Sequence, residues 1–276
     1  MDINYSASII IPAYNEQETI EECLSNIIEE SKKFDSEIIV VDDNSNDQTI
    51  EIVEKFKTIK LVKLDSNKGV GNARNVGARI AKHEILCFID ADVIITSNSI
   101  INLIKKLNQS SNIGSVSAIQ EMVNLNTKDW SSNFVCLKSC YGFENVEKEV
   151  EFSVCTSEFC VMTKETLNQV GGWKPLRNAG GEEYYLGYKI NQLNKKNYKI
   201  INASYKTSYV NLYTRFKRII DRTEKYIHIF LKKKKFDTEG SFATFNQFLS
   251  SLLTLIIIVL ILFSSILDKS LLIAGI

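Results

Sequence analysis

The stretch His83–Thr96, HEILCFIDADVIIT, decides how the rest of the chain is read. Ile85–Ile89 is an apolar run of strand length, it stops at Asp90-Ala91-Asp92, and the apolar sequence resumes at Val93. Two carboxylates one residue apart at the end of a buried strand are costly unless their charge is compensated.

Upstream, strand and helix signals alternate. SASIIIPAY is a short apolar strand ended by Pro12, and Asn15-Glu16-Gln17-Glu18 reads as a helix start with Asn15 as N-cap and Glu18 closing a capping box. Ile20, Cys23, Leu24, Ile27 and Ile28 follow at helical spacing. Ser36–Val41, SEIIVV, is a second buried strand closed by DDNSNDQT; Ile50, Val53 and Phe56 mark a second helix, and KLVKL a third strand. NKGVGNARNVGARIAK carries glycines into a helix before EILCFID forms the fourth strand. Strands alternating with helices predict a mostly parallel sheet covered by helices, an α/β fold that takes ligands beyond the carboxyl ends of its strands. Strand one ends in Pro12-Ala13-Tyr14-Asn15-Glu16, strand two in Asp42-Asp43-Asn44-Ser45, strand four in Asp90-Ala91-Asp92. On one edge of a parallel sheet these acids converge, and a divalent ion with a diphosphate would satisfy them.

The ordered blocks IIIPAYNEQETIEECL, IIVVDDNSNDQT, NKGVGNARNVG and CFIDADV resemble family 2 glycosyltransferases of the membrane-anchored bacterial or archaeal type, closely over Ser8 to about Thr96, with a looser continuation in Val170–Ile190. The resemblance implies a GT-A fold, a UDP- or GDP-sugar donor, Mg²⁺ or Mn²⁺, inverting transfer, and a place in cell-envelope polysaccharide synthesis. Pro12, Ala13, Tyr14 and Glu16 match residues lining the base and ribose. Asp43, with Asp42 beside it, matches the acid that contacts the base. Lys68, Gly69, Asn72 and Arg74 match the segment that closes over the nucleotide and its phosphates. Asp90-Ala91-Asp92 is the D-x-D, with Asp92 as direct metal ligand and Asp90 nearer the ribose. The family's base follows a Gly-Gly-aromatic stretch; here Gly171-Gly172-Trp173 precede Gly181-Glu182-Glu183, which names Glu183 as base and Glu182 as reserve. The second acid is Glu where the family pattern has Asp. The absence of Q-x-x-R-W argues against a processive cellulose- or chitin-type synthase.

Lys+Arg and Asp+Glu are equal at 33 each over 276 residues, so no global field draws the chain to nucleic acid. Cys136, Cys140, Cys155 and Cys160 lack the C-x2-C spacing of a zinc knuckle. GVGNARNVG places Arg74 where a dinucleotide fingerprint needs Gly. His83 precedes a strand and reads as a surface residue; Trp130, Phe134, Tyr141, Phe143 and Trp173 are possible sugar-stacking surfaces or core.

Met1-Asp2-Ile3-Asn4 lacks a basic n-region and leads into a strand-like run, so no signal peptide is expected. Phe248–Leu267, FLSSLLTLIIIVLILFSSIL, carries no charge, and at about 1.5 Å per residue it reaches about 30 Å, the hydrocarbon thickness. Arg215, Lys217, Arg218, Arg222, Lys225 and Lys232–Lys235 precede it, so the positive-inside rule predicts a single-pass membrane protein with its catalytic domain cytoplasmic. The expected division is a nucleotide-sugar half (1–107), an acceptor half (108–210), a basic juxtamembrane segment (211–247), a transmembrane helix (248–267) and a tail (268–276), re-entrant or the beginning of a second helix. That topology makes a lipid-linked acceptor plausible beside a free sugar. Two rival readings are a nucleotidyltransferase of similar fold and an inactive membrane-tethered sugar-nucleotide-binding subunit.

Overall fold

The computed structural model describes residues 5–125, 129–140, 148–175 and 181–214, together with Leu253. The run 248–267 (Leu253 apart), the tail 268–276 and the basic segment beyond Thr214 lie outside the described residues, as do Tyr141 and Phe143. Among the described residues no helix is long and apolar enough to cross a membrane.

The first half winds as β1 (Ser6–Ala13), α1 (Ile20–Ser31), β2 (Asp35–Asp42), α2 (Thr49–Val53), β3 (Ile59–Lys63), α3 (Val70–Ile80) and β4 (Ile85–Ile89). Strands β3, β2, β1 and β4 lie side by side and parallel, with Ala13 opposite Asp42 and Ile10 opposite Phe88. Their near-continuous apolar runs follow from burial on both faces. Ile9, Ile11, Val40, Cys87 and Ile89 face α1 and α2, while Ile10, Ile39, Val41 and Phe88 face α3. Each fully buried Ile contributes roughly 1.5–3 kcal/mol of burial.

The second half adds β5 (Val93–Ile95), α4 (Ser99–Leu107), β6 (Ile113–Asn124), α5 (Trp130–Cys140), β7 (Glu149–Phe152), β8 (Phe159–Thr163), α6 (Lys164–Val170), α7 (Glu182–Gln192) and β9 (Lys196–Thr207). The sheet continues past β4 through β8, β6, β9 and β5, with β7 paired to β9. Here the mostly parallel expectation is corrected to a mixed sheet: β8 runs antiparallel to β4 and β6, and β5 and β7 antiparallel to β9. The turn at Asp90–Asp92 causes one of these reversals. It ends β4 and sends Val93–Ile95 back against Tyr205–Thr207, where Asn26 of α1 accepts from Ile95 N and donates to Ile95 O.

Three local expectations are corrected. The first helix starts at Ile20, because Asn15 has φ 57° and its Oδ1 accepts from Asn46 N across the neighbouring loop, leaving no capping box. The second ends at Val53, short of Phe56. His83 is largely buried: its side chain is 10 % exposed and its ring lies 3.8 Å from Asp35, because its backbone N–H is drawn onto the buried Ser8 hydroxyl.

Candidate functional site

The carboxyl ends of β1 and β2 are stitched to each other. Ala13 O accepts from Asp43 N (2.8 Å), Ser45 Oγ from Asn15 N (2.9 Å), Thr49 Oγ1 from Glu16 N (2.8 Å) and Asp47 from Gln17 N (3.2 Å). Pro12 and Ala13 are buried in this edge while Tyr14 is exposed beside it. Asp43 is buried, and its two oxygens accept from Lys68 N (2.9 Å) and Gly69 N (2.7 Å). It therefore fastens the entry to α3, where Gly69 at φ 91° takes a conformation that side chains disfavour. Asp42 accepts from Ser45 N (3.0 Å) through Oδ2, and its buried Oδ1 has no hydrogen-bond partner.

Helix α3 carries Asn72 and Arg74 into the fold. Arg74 is 1 % exposed; Nη2 donates to Asp90 Oδ1 at 2.6 Å, Nη1 stands 3.7 Å from Glu182 Oε1, and the guanidinium lies 4.7 Å from the centre of the Trp173 ring. One buried cation thus joins the D-x-D to the acid pair opening α7. Asn75, one residue on, accepts from Trp173 N and donates to Trp173 O, both at 2.8 Å. A Cβ on Gly71 would stand 2.4 Å from Lys174 O, so only glycine lets α3 pack against that turn.

At the D-x-D, Ala91 is buried, and Asp92 Oδ2 accepts from Thr207 Oγ1 at 3.0 Å. Asp90 N donates to Glu158 O (3.0 Å), and the antiparallel register that sets Ile89 opposite Phe159 puts Asp90 and Glu158 on the same edge. Burial raises the Asp90 carboxyl to about 7 against the pull of Arg74, and the charges of Asp92 and Glu158 add to the rise. Glu16 is also raised to about 7, by burial first and then by Asp92, against a hydrogen bond from Thr19. The acids of strands one and four therefore share one field.

Of the acid pair, Glu182 is buried with its carboxylate toward Arg74; Glu183 is half-buried, and its Oε2 accepts from Gly181 N at 2.9 Å. Their helix is seated by Leu186 and Ile190 in the core and by Gly187, where a Cβ would meet Ser153 O at 2.5 Å.

A family model described as Glycosyl transferase family 2 matches residues 8–171. The chain belongs to that family. Among curated relatives, poly-beta-1,6-N-acetyl-D-glucosamine synthase from Staphylococcus epidermidis is 28% identical over 177 residues, 60% of this chain and 41% of that protein. The Staphylococcus aureus (strain COL) synthase is 27% identical over the same shares. The chain thus spans about two-fifths of the length of these curated relatives. Among solved structures, mannosyltransferase PcManGT from Pyrobaculum calidifontis, in complex with GDP-Man and Mn²⁺, superposes with TM-score 0.57 at 22% identity over 73% of this chain and 56% of that one. S. aureus TarS 1-349 in complex with UDP-GlcNAc gives 0.58 at 22% identity, over 75% and 59%. These likenesses show the GT-A-like mixed α/β fold.

Within this family 2 site the residues fit a divalent cation. Among the described residues no three His, Cys, Asp or Glu side chains form a metal cage. Mg²⁺ typically uses one or two carboxylates with phosphate and water oxygens, and Glu16 and Asp90, both raised by burial and by the charge of Asp92, form the kind of field that a dication relieves. Sequence reasoning missed Glu158, Thr207 and Asn75. Their roles arise from pairings with residues distant along the chain, and only Glu158 had a local signal, as an acid that opens an apolar run just as Asp90 closes one.

The Glu16 shift makes a pH prediction. The folded state holds its proton to about 7 against an ordinary value of 4.5, so its contribution to stability is complete below pH 4.5 and is lost as pH rises through 7. In chelator, Glu16→Gln therefore gains melting temperature relative to the parent between pH 5 and pH 8. A gap that is flat, or that shrinks with pH, in thermal melts across that range contradicts the assignment.

Proposed function

We propose that this family 2 chain is a metal-dependent, inverting hexosyltransferase that moves a sugar from a UDP- or GDP-sugar to an acceptor hydroxyl or phosphate. The observation that carries it is the single buried Arg74 held by both Asp90 and Glu182, which sets the donor edge against the acid pair on α7. The Mn²⁺ and nucleotide-sugar complexes among the solved structures of like fold support a donor and metal of that class.

Pro12, Ala13, Tyr14, Glu16, Asp42 and Asp43 line the base and ribose side, with Lys68, Gly69 and Asn72 over the phosphates. Asp92, with Asp90 and Ala91 beside it, would hold Mg²⁺ or Mn²⁺, which supplies charge neutralisation on the departing diphosphate. Glu183 takes the proton from the acceptor as its oxygen bonds to the anomeric carbon and the bond from that carbon to the diphosphate breaks. Glu182, facing Arg74, keeps the helix in register. The acceptor is lipid-linked or a free sugar, and the charge-free run 248–267 with its basic flank would hold the catalytic domain at the cytoplasmic membrane face.

A panel of UDP- and GDP-sugars, assayed for nucleotide release with and without Mn²⁺, tests this reading. Release from one donor, lost in chelator and restored by Mn²⁺, is expected. Metal-dependent nucleotide binding with no release on any acceptor supports an inactive binding subunit instead, and release of pyrophosphate from a nucleoside triphosphate supports a nucleotidyltransferase.

A further inference from the structure

Helix α5 is built with its faces inverted. At about 100° per residue, Ser131, Ser132, Val135 and Cys136 fall on one side and Trp130, Phe134 and Leu137 on the other. The small side is the buried one, where Val135 and Cys136 pack with Tyr209. The large side faces out: Trp130 is 76 % exposed, Leu137 53 % and Phe134 51 %. Asp129 caps the helix through Ser131 N and Ser132 N, both at 3.1 Å, so the outward stripe is held in place.

A second element with exposed apolar side chains meets the start of this helix. Leu212 N donates to Ser131 Oγ at 3.1 Å, which brings the exposed Leu212 and Tyr213 beside the start of α5. Asn124 at the end of β6 ties the same elements together, donating to Ser132 and Asn133 and accepting from Tyr209 N. Exposed apolar side chains of this size, aligned on one helix face as Trp130, Phe134 and Leu137 are, mark an interaction surface.

We propose that the outward face of α5, with Leu212 and Tyr213, seats on the surface of an anionic lipid bilayer. The proposal rests on the membrane attachment argued above and adds the face that meets the lipid. The order of the chain selects lipid over a protein partner. Tyr213 leads within a few residues into Arg215, Lys217, Arg218, Arg222 and Lys225, then Lys232–Lys235, then the charge-free run 248–267. Trp and Tyr favour the headgroup level, and clustered basic residues beside them favour anionic headgroups. The docked face also has a consequence for the site. Asn124, which is bonded to the buried side of α5, pairs with Thr207, whose hydroxyl donates to Asp92, so the helix and the D-x-D edge are joined through β6 and β9.

The chain's two tryptophans make the test direct, since Trp130 is exposed and Trp173 is 1 % exposed. The full chain is reconstituted in vesicles of phosphatidylcholine and phosphatidylglycerol with plain or brominated acyl chains. Brominated lipid removes most of the Trp130 emission and leaves that of the Trp130→Phe variant unchanged. Phe134→Ser combined with Leu137→Ser reduces the quenching while Trp130 remains in place. Equal emission in both lipids overturns the proposal. Alkaline flotation of the same vesicles separates the two ideas: a chain that floats without quenching keeps the membrane anchor and loses this face, and a chain that does not float loses the anchor. Quenching that persists when phosphatidylglycerol is omitted overturns the anionic component. Trp130 emission already shielded in detergent at high protein concentration, and released on dilution, assigns the face to a second copy of the chain and also overturns the proposal.

Discussion

Glu183→Gln lowers kcat by about 10²–10⁴-fold, the range of a lost general base, while KM for the donor stays within a few-fold. The amide oxygen of Gln can still accept from Gly181 N, so the start of α7 is retained and the loss is chemical. Glu182→Gln behaves differently. Its carboxylate is buried 3.7 Å from Arg74, so its neutralisation removes half of the compensation around that cation and lowers stability as well as rate. Steady-state kinetics and thermal melts on both variants separate the roles. Full turnover in Glu183→Gln with a stable but inactive Glu182→Gln would move the base to Glu182. Glu183→Asp addresses the departure from the family pattern, since it shortens the acid by one methylene and restores the family's residue type.

The first half of the fold was legible in the sequence because its signals are local. IIIPA, EIIVVD and ILCFI are apolar on both faces, each ends in polar residues, and strands linked through helices run parallel, so Ala13, Asp42 and Asp90 had to share an edge. Capping was misread where a local pattern met a long-range competitor: Asn15 has the right residue type and spacing for an N-cap, but its side chain accepts from Asn46 N instead. Direction is invisible in a period of two, so nothing in FCVMT announced that β8 would run antiparallel beside β4 or that Glu158 would stand by Asp90. Trp173 was open to a stacking role by its type. Its place in the core, edge-on to Phe88 at 5.3 Å and under Arg74, depends on α3 and the Gly171–Trp173 turn meeting across the fold. The acid pair was visible through its neighbours in sequence; that one arginine would reach it from α3 was not.

That arginine sets the other large expected effect. Arg74→Ala destabilises the chain by about 3–5 kcal/mol, because it leaves the buried Glu182 and the partly buried Asp90 with their shared cation removed. Loss of the stacking on Trp173 adds to this, so Arg74→Lys, which keeps the charge but not the planar fork, is expected to recover only part of the stability. Equilibrium denaturation of a double-mutant cycle isolates the ionic part. If Glu182 is uncompensated in Arg74→Ala, then adding Glu182→Gln restores stability, with a coupling of about 0.5–3 kcal/mol for residues in direct contact. Additive losses would mean that Glu182 does not depend on Arg74 and that only packing holds α7 against the D-x-D. The same cycle carries a catalytic consequence. Arg74 donates to Asp90, so Arg74→Ala also changes the Mn²⁺ concentration needed for half-maximal activity. Packing alone would leave that concentration unchanged, because the link from α3 that reaches the D-x-D is the Arg74–Asp90 ion pair.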